Sequence, residues 1–234
     1  MPALSDFGLR LTIDDVIVCW RARGDKVVPK RIRELLATLL VHIEAENLIQ
    51  PRVSFRVWPV ESRETGWLEL GGGIRISSPK LNHHLPGARF VATGVCTIGC
   101  ALERQVSERF ASGDRLPAVM LDEIGTVALF RVSDRLENEI QVEAARLGLE
   151  AGGVLNPGED GLEISQQRPI VELANGPSIG ISSSAAMLVP RKSISMLIGI
   201  GARMPKWTRG QRCAVCAARD RCPHRRSQIV GARS

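Results

Sequence analysis

The fold is decided by residues 90–99, which read FVATGVCTIG. The first seven residues are mostly apolar, and a short apolar run of this length is typical of a buried strand. The run passes through Thr97, Ile98 and Gly99 into an amphipathic stretch at residues 101–111. We therefore expect a central buried strand that is followed at once by a helix.

The sequence on either side of this stretch alternates between helical and strand periodicity. Helices are predicted over residues 12–23, where Thr12 and Asp15 have capping-box spacing, and from Pro29 to the residues before Pro51. Further helices are predicted over residues 117–149, with Gly125 as a bend or close-packing point, and over residues 165–173. Strands are predicted at residues 53–57, 67–70, 74–76, 179–182 and 193–200. Hairpin-connected strands with helices grouped between them predict an α+β fold with a mainly antiparallel sheet and flanking helices.

The composition is that of a protein with a substantial core. The chain has 234 residues, of which 44% are hydrophobic and 24% are charged. This composition excludes the possibility that the chain as a whole is a disordered tail or a disulfide-stapled mini-protein. No apolar run approaches the ~18 residues that a membrane helix needs. The first residues, MPALSDFGLRLTIDD, contain acids where a signal peptide has a basic start. We expect a cytoplasmic protein that does not contact a membrane.

Positive charge is concentrated at the C-terminal end. The formal net charge is +6, yet residues 203–234 contain nine basic residues and one acidic residue, so residues 1–202 are slightly acidic. This predicts a body, residues 1–202, and a short basic cysteine-containing tail, residues 203–234. Nucleic-acid binding by the tail is disfavoured because Trp207 is its only Phe, Tyr or Trp residue for base stacking.

The tail also contains a possible metal site. Cys213 and Cys216 have the Cys-x-x-Cys spacing that lets two thiolates bind one ion, and Cys222 and His224 follow closely. The spacing fits zinc, while the Cys-Pro sequence at Cys222 is also found in iron-sulfur ligation. The candidates for a fourth ligand are His224, Cys96 and Cys100. Reduced cysteines in a flexible basic tail are the alternative.

Three motifs occur in a specific order along the chain: TIG at residues 97–99, NPG at residues 156–158, and MLVPRKSIS at residues 187–195. Together they resemble the activation (reactivation) domain of cobalamin-dependent methionine synthase in its stand-alone form. The resemblance extends from about Ile13 to His224. It implies a curved antiparallel sheet beside a shallow groove that binds S-adenosylmethionine.

The resemblance also implies a function. A domain of this family presents S-adenosylmethionine to the corrinoid of a methyltransferase. The methyl group, with one electron from a ferredoxin or flavodoxin, restores methylcobalamin from the inactive cob(II) state. The cobalamin is carried by the partner protein. This chain would then be a component of methionine synthase or related methyltransferase activity.

Site residues follow from the resemblance by motif. Asn156, Pro157 and Gly158 would form the loop beside the ligand, and Glu159 occupies the place of a family tyrosine. Ser193 and Ser195 would lie on the adjoining strand. The acidic residues near the family carboxylate that binds the ligand's ammonium group are Glu137 and Glu139, although Asn138 could hold the matching position. Charges at this helical spacing otherwise form a solvated face.

A second hypothesis keeps the fold and abandons the ligand. The chain would then be a non-catalytic docking module for a corrinoid protein or a redox partner, with a metal or iron-sulfur site in the tail. Its basic tail would bind an acidic partner electrostatically.

Overall fold

The predicted central strand is β4, Phe90–Thr97, and it lies in the middle of a six-stranded sheet. All its residues except Phe90 are buried. In register, Val95 lies opposite Ser54 of one neighbouring strand and Ser195 of the other. The strand is buried on both faces because helices cover both sides of the sheet.

A computed structural model describes residues 8–21, 27–159, 161–215 and 220. The helices are α1 Ile13–Arg21, α2 Lys30–Ala45, α3 Leu81–His84, α4 Ala101–Ala111, α5 Arg115–Arg146, α6 Gln167–Leu173 and α7 Arg209–Val215. The strands are β1 Arg52–Glu64, β2 Trp67–Leu70, β3 Ile74–Ser77, β4, β5 Glu150–Leu155, β6 Ser182–Ser184, β7 Met187–Val189 and β8 Ser193–Gly201. Two 3₁₀ turns span Ile164–Gln166 and Gly176–Ile179.

The main sheet has the order β3-β2-β1-β4-β8-β5, and every neighbouring pair is antiparallel. Strand β1 pairs with β4 along its first half and with β2 along its second half, with a register shift between Val60 and Ser62. A second shift lies between Ala151 and Val154 of β5. Such bulges bend a strand and increase its twist, so they curve the sheet. The predicted α+β class with an antiparallel sheet is confirmed.

One face of the sheet is covered by α5, a helix of 32 residues. Its residues Leu136 and Ile140 pack into the same core as Met196 and Ile198 of β8. The helices α1, α2 and α4 contact α5. At Gly125, an added Cβ atom would lie 2.7 Å from Leu102 Cδ2 of α4. Gly125 is therefore a close-packing point, one of the two roles predicted for it.

The start of α1 has the predicted capping box. The Asp15 carboxylate accepts hydrogen bonds of 2.9 Å from both the backbone nitrogen and the hydroxyl of Thr12. It also forms an ion pair with Arg131 of α5. Burial raises the pKa of Asp15, but the Thr12 hydrogen bonds and the charge of Arg131 outweigh it and leave the pKa below its ordinary value.

Lys192 connects the start of β8 to α5. Its Nζ lies 2.9 Å from the Asp122 carboxylate and donates to the Thr126 hydroxyl at 2.7 Å. The Lys192 side chain is only 15% exposed, so these partners satisfy a charge that is largely withdrawn from water.

The opposite face of the sheet is covered by α6 and the turns around it. Ile170 and Leu173 of α6 pack with Leu197 of β8. The Ser54 hydroxyl of β1 donates to the Ala174 carbonyl at 2.6 Å, just after α6 ends. Core packing and a buried hydrogen bond thus hold α6 on the sheet.

The predicted strand at residues 179–182 is wrong. Ile179 ends a 3₁₀ turn, and β6 begins at Ser182 and pairs with β7 outside the main sheet. The residues that bracket this turn, Asn175 and Gly180, have φ values of 58° and 79°. A left-handed residue interrupts an extended strand, so the chain turns here.

Across the described ranges, no helix combines the length and the apolar character that crossing a bilayer requires.

Candidate functional site

A cavity of about 360 Å³ lies between the C-terminal half of α5 and the edge strand β5. Its α5 wall contains Glu137 and Gln141, and its floor includes Ile198 of β8. The remaining lining residues are Leu149, Glu150, Ala151, Gly152, Gly153, Val154, Lys206 and Trp207. The volume lies within the ~300–1,000 Å³ range of small-molecule sites.

The β5 wall is shaped by a glycine bulge. Ala151 pairs with Ile200 and Val154 pairs with Ile198, so Gly152 and Gly153 together oppose a single residue of β8. Because β5 is the last strand of the sheet, its outer edge offers backbone hydrogen-bonding groups. A bulge of this kind is common next to functional sites because it changes the direction of those groups.

The α5 wall brings one of the two predicted carboxylates to the cavity. Glu137 and Gln141 are four residues apart, so they lie on one face of the helix. Glu139 does not line the cavity and forms an ion pair of 2.9 Å with Arg135 of the same helix. Asn138, the alternative candidate, is exposed and does not line the cavity.

The cavity mouth contains further charge. Glu150 of β5 forms an ion pair of 3.1 Å with Lys206. Both partners are more than half exposed, and exposed pairs of this kind contribute only ~0–1 kcal/mol to stability. The lining therefore has two carboxylates, Glu137 and Glu150, and one ammonium group, that of Lys206.

The predicted loop, Asn156 to Glu159, directly follows β5. The Asn156 side-chain amide donates to the Ser195 carbonyl at 2.9 Å, which fixes the start of the loop to β8. Pro157 and Gly158 form the turn, and the φ of Gly158 is 89°, a conformation that favours glycine. The Glu159 carboxylate accepts two hydrogen bonds from Arg212, of 3.0 Å from Nε and 2.6 Å from Nη2.

The two predicted serines lie on the other side of the sheet. Successive side chains along a strand point to opposite faces of the sheet. Ile198 lines the cavity, and both Ser193 and Ser195 are an odd number of residues away from it, so they point to the opposite face. Both serines are buried, and neither hydroxyl has a hydrogen-bond partner in the described part of the chain. The structure therefore does not bring these two hydroxyl groups together with Glu137.

The C-terminal segment supplies site residues that the sequence did not single out. Met204 is buried against the core that contains α6, and the Pro205 carbonyl accepts a hydrogen bond from Gly153 N at 2.9 Å. The Trp207 indole nitrogen donates to the Val154 carbonyl at 2.9 Å. The available sequence signals were the adjacent glycines in a strand and the one Trp in the tail.

The proposed metal ligands lie mostly beyond the described residues. Cys213 is partly exposed in α7, whereas Cys216, Cys222 and His224 lie outside the residues that the structure describes. Of the body cysteines, Cys96 is buried in the core beneath α5, and Cys100 is exposed at the start of α4. Residues 8–21, 27–159, 161–215 and 220 contain no cluster of three metal-binding side chains.

The fold and the cavity together define an α+β protein with a curved antiparallel sheet and a ligand-sized cavity between its longest helix and an edge strand. No protein-family model matches this sequence, and no curated protein matches it. Among solved structures, the chain is similar to the crystal structure of the MetH reactivation domain bound to AdoHcy. The TM-score is 0.64 at 14% sequence identity, over 88% of this chain and 80% of that chain. The chain thus has a methionine synthase activation-domain-like fold, as its motifs predicted.

Proposed function

We propose that this protein binds S-adenosylmethionine and supports the reductive reactivation of a corrinoid in a cobalamin-dependent methyltransferase system such as methionine synthase. Its cobalamin would be carried by a partner, a corrinoid protein or the methyltransferase itself, in the cytoplasm. A ferredoxin or flavodoxin would supply the electron. The similar solved domain has AdoHcy bound, which supports a ligand of this class.

The observation that carries the proposal is the position of Glu137. Glu137 lines a ligand-sized cavity beside the backbone of an edge strand. S-adenosylmethionine has an ammonium group, a sulfonium ion and a planar base. A carboxylate binds an ammonium group through charge-assisted hydrogen bonds, and a strand edge can bind a base through its N–H and C=O groups.

The role of the chain would be to bind and orient. The corrinoid supplies the methyl acceptor, while S-adenosylmethionine supplies the methyl group, so the difficult chemistry belongs to the two small molecules. Glu137 would hold the amino-acid end of the ligand, and the rigid α5–β5 frame would set the direction of the methyl group. Such positioning can supply a large part of a rate enhancement.

Calorimetry with S-adenosylmethionine and S-adenosylhomocysteine tests the ligand. We expect Glu137→Gln to weaken binding by about 10- to 100-fold, since a hydrogen bond to a charged group contributes ~1.5–3 kcal/mol. Glu139→Gln is the matched control because Glu139 lies on the same helix but pairs with Arg135 outside the cavity. The absence of any heat at millimolar ligand with folded protein would remove the proposal.

The tail would hold a metal. Cys213, Cys216 and Cys222 with His224 would bind zinc or form part of an iron-sulfur site, and the second of these would relay an electron. Anaerobic purification with metal and sulfide analysis separates the outcomes. One zinc per chain would indicate a structural tail, and iron with sulfide would indicate a redox tail. A protein that contains no zinc, no iron and no sulfide would contradict the proposal.

The docking alternative is favoured by the concentration of basic residues in the tail. In that case a corrinoid protein would co-purify with the chain at low salt and be lost at high salt, because ionic strength screens such contacts. Binding of the corrinoid protein with no heat from S-adenosylmethionine would support this alternative over ligand binding.

A further inference from the structure

Residues 204–212, here called the strap, bond to β5 through Pro205 and Trp207, and Lys206 and Trp207 line the cavity. The Pro205 carbonyl accepts from Gly153 N at 2.9 Å, and the Trp207 indole donates to the Val154 carbonyl at 2.9 Å. The strap therefore uses an edge N–H and an edge C=O beside the cavity. A ligand at this edge could use the same two backbone groups.

The Trp207 ring lies directly on Gly153. If Gly153 had a Cβ atom, that atom would lie 2.3 Å from the ring atoms Cδ2 and Cε2. His84 contacts the same ring edge-on, at 5.4 Å between ring centroids. The glycine bulge thus forms a flat platform whose surface is now covered by an aromatic bicycle.

An indole and a purine share the properties that matter on this platform. Both are planar bicyclic rings of nearly equal size, and both can place an N–H group opposite a backbone carbonyl. A purine also has a flat face that can lie against the same surface that the indole covers. The bulge is therefore suited to a purine, with Trp207 in the place that the purine would take.

We propose that the strap is an internal competitor for the cavity, in which Trp207 occupies the base position until an adenine-containing ligand displaces it. This inference rests on the proposed function, because it assumes that the ligand has an adenine base. In the closed arrangement the platform, the Gly153 N–H and the Val154 carbonyl are all occupied. Ligand binding then requires that the strap leaves.

A latch at the far end holds the strap. Arg212 forms an ion pair with Glu159, and its side chain is only 11% exposed. The Arg212 guanidinium also lies 5.6 Å from the centroid of the Trp207 ring. Because Glu159 belongs to the loop that follows β5, the latch connects the strap to that loop.

The apparent affinity of a ligand equals its affinity for the open site multiplied by the fraction of molecules whose site is open. Removing the competing ring should therefore tighten ligand binding. If Trp207 were instead a wall that contacts the ligand, removing its ring would weaken binding. With S-adenosylhomocysteine as the probe, we expect Trp207→Ala in the full chain to lower Kd by roughly tenfold. Trp67→Ala removes an indole on β2 that packs under Arg75, and it should leave Kd unchanged.

Two further measurements protect the test against a variant that folds poorly. Arg212→Gln keeps the ring and weakens the latch, so it should also lower Kd, by a smaller factor. In the unmutated chain, S-adenosylhomocysteine should speed tryptic cleavage after Lys206 and Arg209, whereas a ligand held beneath a closed strap would slow it.

The outcomes distinguish the two ideas. Ligand binding that is weakened or unchanged by Trp207→Ala, or a strap protected from trypsin by ligand, would overturn the competitor and leave ligand binding intact. A failure of every variant, including Trp207→Ala, to bind the probe at millimolar concentration would overturn both.

Discussion

Gly153→Ala tests the contact between β5 and the strap with a single methyl group. The added Cβ would stand 2.3 Å from two ring atoms of Trp207, where ordinary contacts are 3.4–4 Å. The ring must therefore move by more than 1 Å. The φ of Gly153 is outside the left-handed region, so alanine introduces no backbone strain of its own.

The expected cost follows from what this movement breaks. The hydrogen bond of 2.9 Å from the Trp207 indole to Val154 is lost, and such a bond contributes ~0.5–1.5 kcal/mol. Overpacking a tight contact costs ~1–3 kcal/mol. We expect Gly153→Ala to lower the free energy of unfolding by about 1–3 kcal/mol. The cost cannot exceed the free energy of detaching the strap, because a detached strap no longer meets the methyl group.

Urea unfolding followed by circular dichroism measures this cost, and a double-mutant cycle identifies its source. In a Trp207→Ala background the three closest atoms that the methyl group would meet are gone. There Gly153→Ala should be neutral or slightly stabilising, since glycine inside a strand costs ~0.5–1 kcal/mol relative to alanine. An equal cost in both backgrounds would refute the proposed contact between Gly153 and the ring.

Three other changes probe the frame that carries the site, each measured by urea unfolding. Gly125→Ala should destabilise by about 1–3 kcal/mol, although alanine favours helices, because the methyl group meets Leu102 at 2.7 Å. A stabilised variant would contradict that packing. Lys192→Met removes the bonds to α5 and should lower the free energy of unfolding by about 1–3 kcal/mol. An unchanged free energy of unfolding would mean that these bonds do not stabilise the fold. The lowered pKa of Asp15 stabilises the fold above its unfolded value of ~3.9, and this contribution is lost as the pH falls through the folded value. Asp15→Asn should therefore reduce the dependence of the urea midpoint on pH below ~5, and an unchanged dependence would count against this role.

The parts of the fold that could be predicted are those whose cause is local. The apolar run of β4, the helical spacing of α2 and the glycine-joined hairpin of β2 and β3 all appear in the structure close to their predicted bounds. These signals are periodicities of a few residues, so they survive without knowledge of the partners. The error at residues 179–182 arose because the two isoleucines there were interpreted as part of a strand without the left-handed Gly180 that lies between them.

The site was harder to predict because it is made by long-range packing. Glu137 and Glu139 look equivalent in sequence, and only the direction in which α5 packs decides which one faces the cavity. The same holds for Ser193 and Ser195. Strand periodicity puts both serines on one face of β8, but it does not say which helix covers that face. Nothing local connects Trp207 with Gly153, which is 54 positions earlier in the chain.

A crystal structure of the full chain grown with S-adenosylhomocysteine tests the central claim most directly. We expect the ligand in the cavity between α5 and β5, with its ammonium group at the Glu137 carboxylate and its adenine on the Gly152–Gly153 bulge. Trp207 should have left its place on Gly153. Ligand bound away from Glu137 and the Gly152–Gly153 bulge, or an empty cavity at saturating ligand, would contradict the proposed site.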